Sequence, residues 1–185
     1  MNENFDKVLG FVWETLKIII VSLFIIIPIR YYIVQPFFVQ GASMEPNFEN
    51  GEYLLIDEIS WRFRAPERGE VTVFKFPGDK RQFYIKRIIG LPNETLEIKD
   101  NKVTIFNVVN EKGFRLDESV YLSPSVGTQG DLKIKLREKE YFVMGDNRQH
   151  SSDSRRWGVV PKDLIIGRAW LRAFPFDRLA VFSSN

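Results

Sequence analysis

Cysteine is absent from the 185 residues. Disulfides, thiolate nucleophiles and cysteine-based metal sites are therefore excluded, although the compartment is not fixed by that absence. Histidine occurs once, at His150. A zinc site of the HExxH kind needs two histidines and is excluded too. Charge of one sign is also lacking. Lys and Arg total 26 and Asp and Glu total 24, a net +2, so no global field recruits nucleic acid or an acidic membrane. Repeats and low-complexity runs are missing, and no long amphipathic helix pattern occurs after residue 60. The length suits one catalytic domain with a short appendage.

Long apolar runs occur once, at the start. Leu9 to Ile29 is strongly apolar, with IIIVSLFIII from Ile18 to Ile27 at its centre. A helix needs roughly 20 such residues to cross a bilayer. Glu14 and Lys17 interrupt the run, but their spacing of three lets them pair on one helix face, and Lys17 can snorkel to the interface. Pro28 and Arg30 mark the far end, with Tyr31 and Tyr32 as interfacial aromatics. A cleavable leader would carry a basic start and a small-x-small site. MNENFDK is not basic, and no such site follows the core. A buried core helix, apolar on every face, is rare in so small a domain. Basic residues flanking the run are few on both sides, so charge alone does not orient it. The chain divides into a tail (1–8), a transmembrane anchor (9–29), a folded domain (30–180) and a second tail (181–185).

The domain reads as mainly β, with antiparallel sheets. GEYLLIDEI (51–59), GEVTVFKF (69–76) and QFYIKRII (82–89) begin near turn residues and are rich in β-branched and aromatic side chains. TLEIKDNKVTIF (95–106) alternates polar and apolar on either side of Asp100-Asn101, the pattern of a hairpin. EYFVMGD (140–146) and LIIGRAWLRAF (164–174) complete the strands, and residues 110–137 contain the loop-like run SPSVGTQGD.

Two segments carry residues suited to serine chemistry. In PFFVQGASMEPNF, Ser43 follows an extended run and a Gly-Ala pair that lets another backbone approach. In QFYIKRIIG, alternation puts Lys86 on one strand face with Tyr84 and Ile88. Burial would lower its pKa from the usual ~10.4 and make it a base near neutral pH. Read singly, Ser43 is equally a turn serine, and Lys86 an edge-strand lysine that discourages aggregation. The third segment, GDNRQHSSDSRRWGVVP (145–161), is a polar loop between two apolar strands, where functional groups are often presented.

GASMEP, RGEVTVFKFP, YIKRIIGLP and GDNRQHSSDSRRWGVV resemble, in the same order, the sequence boxes of bacterial type I signal peptidases, and span most of residues 34–175. The resemblance implies a membrane-bound serine endopeptidase with a Ser–Lys dyad. It would have a single anchor in the bacterial cytoplasmic membrane and a catalytic domain on the extracytoplasmic face. Ser43 matches the nucleophile and Lys86 the general base. Ser151 matches a serine that helps hold the lysine, and Asp153 and Arg155 match a supporting acid and base. The Ser43 N–H would serve the oxyanion hole, where one donor contributes about 3 kcal/mol. Gly41 stands where some members carry a serine as second donor, which leaves that donor unassigned. Gln149 and His150 also depart from the usual residues, and His150 reads as a variable loop residue.

The implied substrates are secretory preproteins, cut after small residues. Membrane lipid and the secretion translocon are the implied neighbours, and neither nucleic acid, metal nor cofactor is expected. Phe37 and Val39, on one face of an extended segment, with Met44, Tyr84 and Ile85, would line apolar pockets. Substrate would add as a strand beside the segment before Ser43 or the one before Lys86. Trp61-Arg62-Phe63-Arg64 has the composition of a tip that dips into a membrane interface. Three rival readings lack support in the same residues. Self-cleaving repressors with a Ser–Lys dyad carry a DNA-binding domain in front, an inactive signal-binding subunit would be expected to have lost the dyad, and a structural membrane domain leaves the four boxes unexplained.

Overall fold

The structure, a computed structural model, describes residues 3–32 and 34–182. Helix α1 (Glu3–Tyr32) contains the apolar stretch Lys7–Ile27, 21 residues of mean hydropathy 2.1, none of it buried against the rest of the chain. Lys17 and Glu14 pair at 2.6 Å, as their spacing predicts. The helix already runs from Glu3, so most of the expected N-terminal tail is helical. The side chains of Pro28, Arg30, Tyr31 and Tyr32 lie outside the described ones. Strand β1 (Val34–Phe38) follows almost at once.

The strands after it are β2 (Tyr53–Asp57), β3 (Val71–Phe76), β4 (Asp79–Gly90), β5 (Thr95–Lys99), β6 (Lys102–Phe106) and β7 (Phe114–Arg115). Then come β8 (Leu132–Lys135), β9 (Glu140–Met144), β10 (Val160–Pro161), β11 (Ile165–Phe174) and β12 (Ala180–Val181). Two one-turn helices, α2 (Ser60–Phe63) and α3 (Ser154–Trp157), complete the described elements with two short 3-10 turns. One sheet has the order β1-β2-β11-β3-β4-β9-β10, with β12 beside β11; the other is β7-β6-β5-β8. Every described pairing is antiparallel.

The β5–β6 hairpin follows its sequence closely. Asp100 and Asn101 both take positive φ (50° and 59°), the two-residue turn whose twist matches the strands. Alternation then turns Leu96, Ile98, Val103 and Ile105 to one side, where they bury with Ile89, Phe142 and Met144 from the large sheet. That shared core fixes the small sheet to β4 and β9. A second core (Val39, Met44, Phe48, Leu54, Ile56, Val71, Val73, Ala169) lies beneath the segment after β1.

Two expectations need correction. The C-terminal tail was to start at 181, but Ala180–Val181 pair with β11 and Phe182 packs on Phe48; residues 183–185 lie outside the described residues. Nor does Trp61 face outward, as a Trp61–Arg64 membrane tip would require of it. Trp61 is 9% exposed, belongs to a core with Phe74 and Tyr141, and donates its indole N–H to Glu70 at 3.1 Å. Arg64 is drawn to the same carboxylate. Arg62 and Phe63 project into solvent, Phe63 at 86%. Alternation misled because a single helical turn, not a strand, carries these residues. Trp61→Ala is therefore expected to cost about 3 kcal/mol of stability, and Phe63→Ser less than about 0.5 kcal/mol. Urea unfolding in detergent, followed by fluorescence, measures both.

Candidate active site

Ser43 sits on a turn-rich segment between β1 and β2, fastened at several points. The Val39 N–H donates to the Glu52 carbonyl and Gly51 N–H to the Val39 carbonyl, both at 2.9 Å, closing the base of the loop. Gly41 takes φ +87°, a conformation favourable for glycine, and its N–H is held by Asn50 Oδ1 at 2.9 Å. Gly41 thus offers an oxyanion neither a hydroxyl nor an uncommitted N–H. The Ser43 N–H has no acceptor among the described residues. Met44 was expected to face substrate. It is instead 1% exposed and packs into the core beneath the loop with Val39 and Phe48, which anchors the residue after Ser43.

Lys86 lies on β4, opposite Thr72 of β3, and is 4% exposed. Its Nζ is 2.7 Å from Ser43 Oγ and 2.8 Å from the Ile85 carbonyl oxygen, and lies 5.5 Å from the centre of the Tyr84 ring. Burial pulls the Lys86 pKa down to about 8, against the opposing pull of the Asp153 and Asp146 carboxylates. At pH 7 about a tenth of such amines are neutral, against about one in three thousand for an ordinary lysine. As an ammonium, Lys86 donates to Ser43. As an amine, its lone pair can accept the hydroxyl proton over the same short distance.

The loop after β9 completes the site. Asp153 Oδ2 accepts the Gly145 N–H (3.1 Å), while Oδ1 accepts the N–H and Nε–H of Arg155 (3.2 and 2.9 Å), capping α3. Burial raises the Asp153 pKa, but Arg155 and the Gly145 N–H more than offset it, so the carboxyl is held below its ordinary range. Arg155 also donates to the Arg148 carbonyl at 2.7 Å. Ser151 is buried, and its hydroxyl makes no hydrogen bond to Lys86. A side chain at Gly145 would strike the Ser43 carbonyl oxygen (2.3 Å) and Ser151 Oγ (2.2 Å), so only glycine allows this close approach.

Five neighbours of the pair carried no separate signal in the sequence. Arg87, adjacent to Lys86 but on the opposite face, grips Asp146 with two hydrogen bonds (2.8 and 2.6 Å). Asn47 joins that carboxylate at 2.9 Å and the Tyr121 carbonyl at 2.8 Å. Arg148 is buried and forms a forked pair with Glu118 (2.6 and 3.0 Å). Asp146 and Arg148 lay within the polar loop run; Glu118 and Asn47 are distant in sequence and had no local pattern to reveal them.

A cleft of about 670 Å³ opens beside the Ser43–Lys86 pair. One wall is Phe37 to Ser43, the other Gln82 to Lys86, with Leu54 and Val73 at its floor and His150 and Ser152 beside them. The expected pocket residues Phe37, Val39, Tyr84 and Ile85 all line it; Met44 does not. Both walls are strand edges. β1 ends the large sheet, and β4 is paired with β9 only from Arg87 onward, leaving its earlier residues open on that side.

The depressed lysine makes a stability prediction. Its folded pKa (about 8) lies below the ordinary 10.5, so between those values the unfolded chain binds more protons, and stability rises with pH. Below pH 8 the full cost, about 3 kcal/mol, is present. The stability of the wild type relative to Lys86→Met should therefore rise by about that amount across the window. Denaturant titrations of both proteins at several pH values read it.

A family profile described as Signal peptidase, peptidase S26 matches residues 12–174. A protein named probable signal peptidase I-2 of a Synechocystis strain is 33% identical over 175 residues, 91% of this chain and 76% of that protein. Signal peptidase I P of Bacillus subtilis subsp. natto is 35% identical over 169 residues, 90% of this chain and 91% of its own. A crystal structure of a signal peptidase I from Enterococcus faecalis V583 is 30% identical and covers 57% of this chain and 97% of that one, with a TM-score of 0.46. With the family pattern extending over nearly the whole chain, from within α1 to the end of β11, this protein belongs to the signal peptidase family, peptidase S26.

Proposed function

We propose that Ser43 is the nucleophile and Lys86 the general base of this membrane-anchored serine endopeptidase, which removes signal peptides from preproteins. The observation that carries the assignment is the 2.7 Å approach of a desolvated amine to the Ser43 hydroxyl. The substrate backbone lies extended in the cleft, adding to the open edges of β1 and β4 through main-chain hydrogen bonds. Phe37, Val39, Tyr84 and Ile85 set the apolar walls that favour small side chains. Neutral Lys86 takes the hydroxyl proton as Ser43 Oγ attacks the scissile carbonyl. The Ser43 N–H supports the oxyanion. Protonated Lys86 then gives its proton to the departing amine, and the acyl group remains on Ser43. Water, deprotonated by the regenerated amine, hydrolyses that ester and restores the enzyme.

An inactive signal-binding subunit is the alternative. Nothing in such a role calls for a buried lysine held against a serine hydroxyl.

We further propose that the domain works at the extracytoplasmic face of the bacterial cytoplasmic membrane, near the secretion translocon, with one edge against lipid. That edge is not the Trp61 turn. Phe38, Tyr53 and Phe174 are register partners across β1, β2 and β11, and Phe176 stacks edge-on against Phe174. All four are exposed, and β1 continues directly from α1. Such aromatics suit the interface. Changing Phe174 and Phe176 together to Ser should slow cleavage of a preprotein in vesicles more than cleavage of a short peptide in detergent.

Incubating detergent-solubilised protein with a preprotein tests the dyad. Ser43→Ala and Lys86→Ala should each lower kcat by about a thousandfold or more, and cleavage by Ser43→Ala at the wild-type rate would overturn the assignment. For the wild type, kcat/KM should rise with pH and level off above an apparent pKa near 8, since only neutral Lys86 acts as base.

A further inference from the structure

His150 is exposed and lines the cleft, yet the mechanism gives it no task. Its placement is well defined. Asn147 Nδ2 donates to the Ala42 carbonyl at 3.0 Å, and the Asn147 N–H donates to the Ser43 carbonyl at 3.1 Å. The Asn147 side chain therefore turns its Oδ1 the other way, where it meets His150 Nδ1 at 3.2 Å. An amide oxygen only accepts, so Nδ1 carries the proton in the neutral ring as well as in the charged one. The His150 N–H, bonded to the Asn147 carbonyl at 3.1 Å, fixes the backbone beneath. Nε2 remains, with no partner among the described residues. It is a lone-pair acceptor when the ring is neutral and an N–H donor carrying positive charge when it is protonated.

The side of the scissile bond follows from the cleft. The walls formed by Phe37–Ser43 and Gln82–Lys86 lead up to Ser43 and take the residues that become the acyl half. His150 belongs to neither wall. It rides on the loop that binds the Ala42 and Ser43 carbonyls, at the Ser43 end of the first wall. We infer that His150 is a specificity residue on the leaving-group side of the cleft, where its imidazole contacts the first residue after the cut and favours a carboxylate there. The inference rests on the assignment of Ser43 as nucleophile.

Other charges facing this end are few. Lys86 and Tyr84 line the cleft from β4. On the loop itself, Asp153 pairs with Arg155, Arg148 with Glu118 and Asp146 with Arg87; the exposed Arg156 does not line the cleft, whose basic residues are His150 and Lys86. The two are separable by substitution, because His150 lies outside the Ser43–Lys86 pair.

The test uses the full-length chain in detergent and two preproteins that differ only in the first residue after the cut, Asp or Asn. The quantity is the ratio of their kcat/KM values between about pH 5.5 and 8. Taking the ratio cancels the loss of the general base at low pH. At the acid end of this range the wild-type ratio should favour Asp about threefold more than the ratio of His150→Asn does. A ratio that is the same in wild type and His150→Asn overturns the inference. Cleavage that survives in a parallel Ser43→Ala sample overturns instead the reading beneath it, so the two failures are distinguishable.

Discussion

Keeping an amine dry against a hydroxyl is the constraint around which this domain is arranged. Lys86 is nearly inaccessible to water, and its charged form is disfavoured for that reason alone. Two carboxylates, Asp146 and Asp153, lie close enough to pull the other way. Left unpaired, they would favour the ammonium form more strongly and oppose the proposed role of Lys86 as base. Each has an arginine of its own: Arg87 grips Asp146 and Arg155 grips Asp153. The negative charge needed to orient the polar loop is thus largely neutralised before it reaches the lysine. The residual attraction keeps the pKa near 8 rather than lower, a compromise between a buried site that folds and a base that works.

The same pairs position Ser43, the proposed nucleophile. Asp153 holds Gly145, whose missing side chain lets the loop press on the Ser43 carbonyl; Asn147 binds the carbonyls of Ala42 and Ser43; and Asn47 links Asp146 to Tyr121. Through Glu118, Thr128 and Tyr121 the chain between β7 and β8 braces the site without lining the cleft. The small sheet therefore acts as a buttress. Its apolar face locks onto β4 and β9, and its long connection locks Arg148. A site spread over β1, β4 and the loop after β9 gains the rigidity that proton transfer over one hydrogen-bond length requires.

Much of this was legible in the residues. The anchor declared itself by length and apolarity, and the β5–β6 hairpin by alternation around Asp100-Asn101. Ser43 and Lys86 were each ambiguous; the ordered boxes joined them, and the structure brings their side chains within hydrogen-bonding distance. What stayed hidden depended on tertiary contacts. Glu118 lies 30 residues from Arg148 in an irregular segment, with no period to mark it. Trp61 was misread because one helical turn breaks the alternation its neighbours suggest, and Met44 because a tight turn after Ser43 sends the next side chain into the core. The hydroxyl of Ser151 is brought to the loop's close approach but is not bonded to Lys86.

The central claim is that burial sets the protonation of one lysine. The most direct measurement is an NMR titration of the full-length protein in detergent, with isotope-labelled lysine and Lys86 assigned by its loss in Lys86→Met. The Lys86 midpoint should lie near 8. A Lys86 midpoint at the ordinary lysine value of 10.5 would contradict the account.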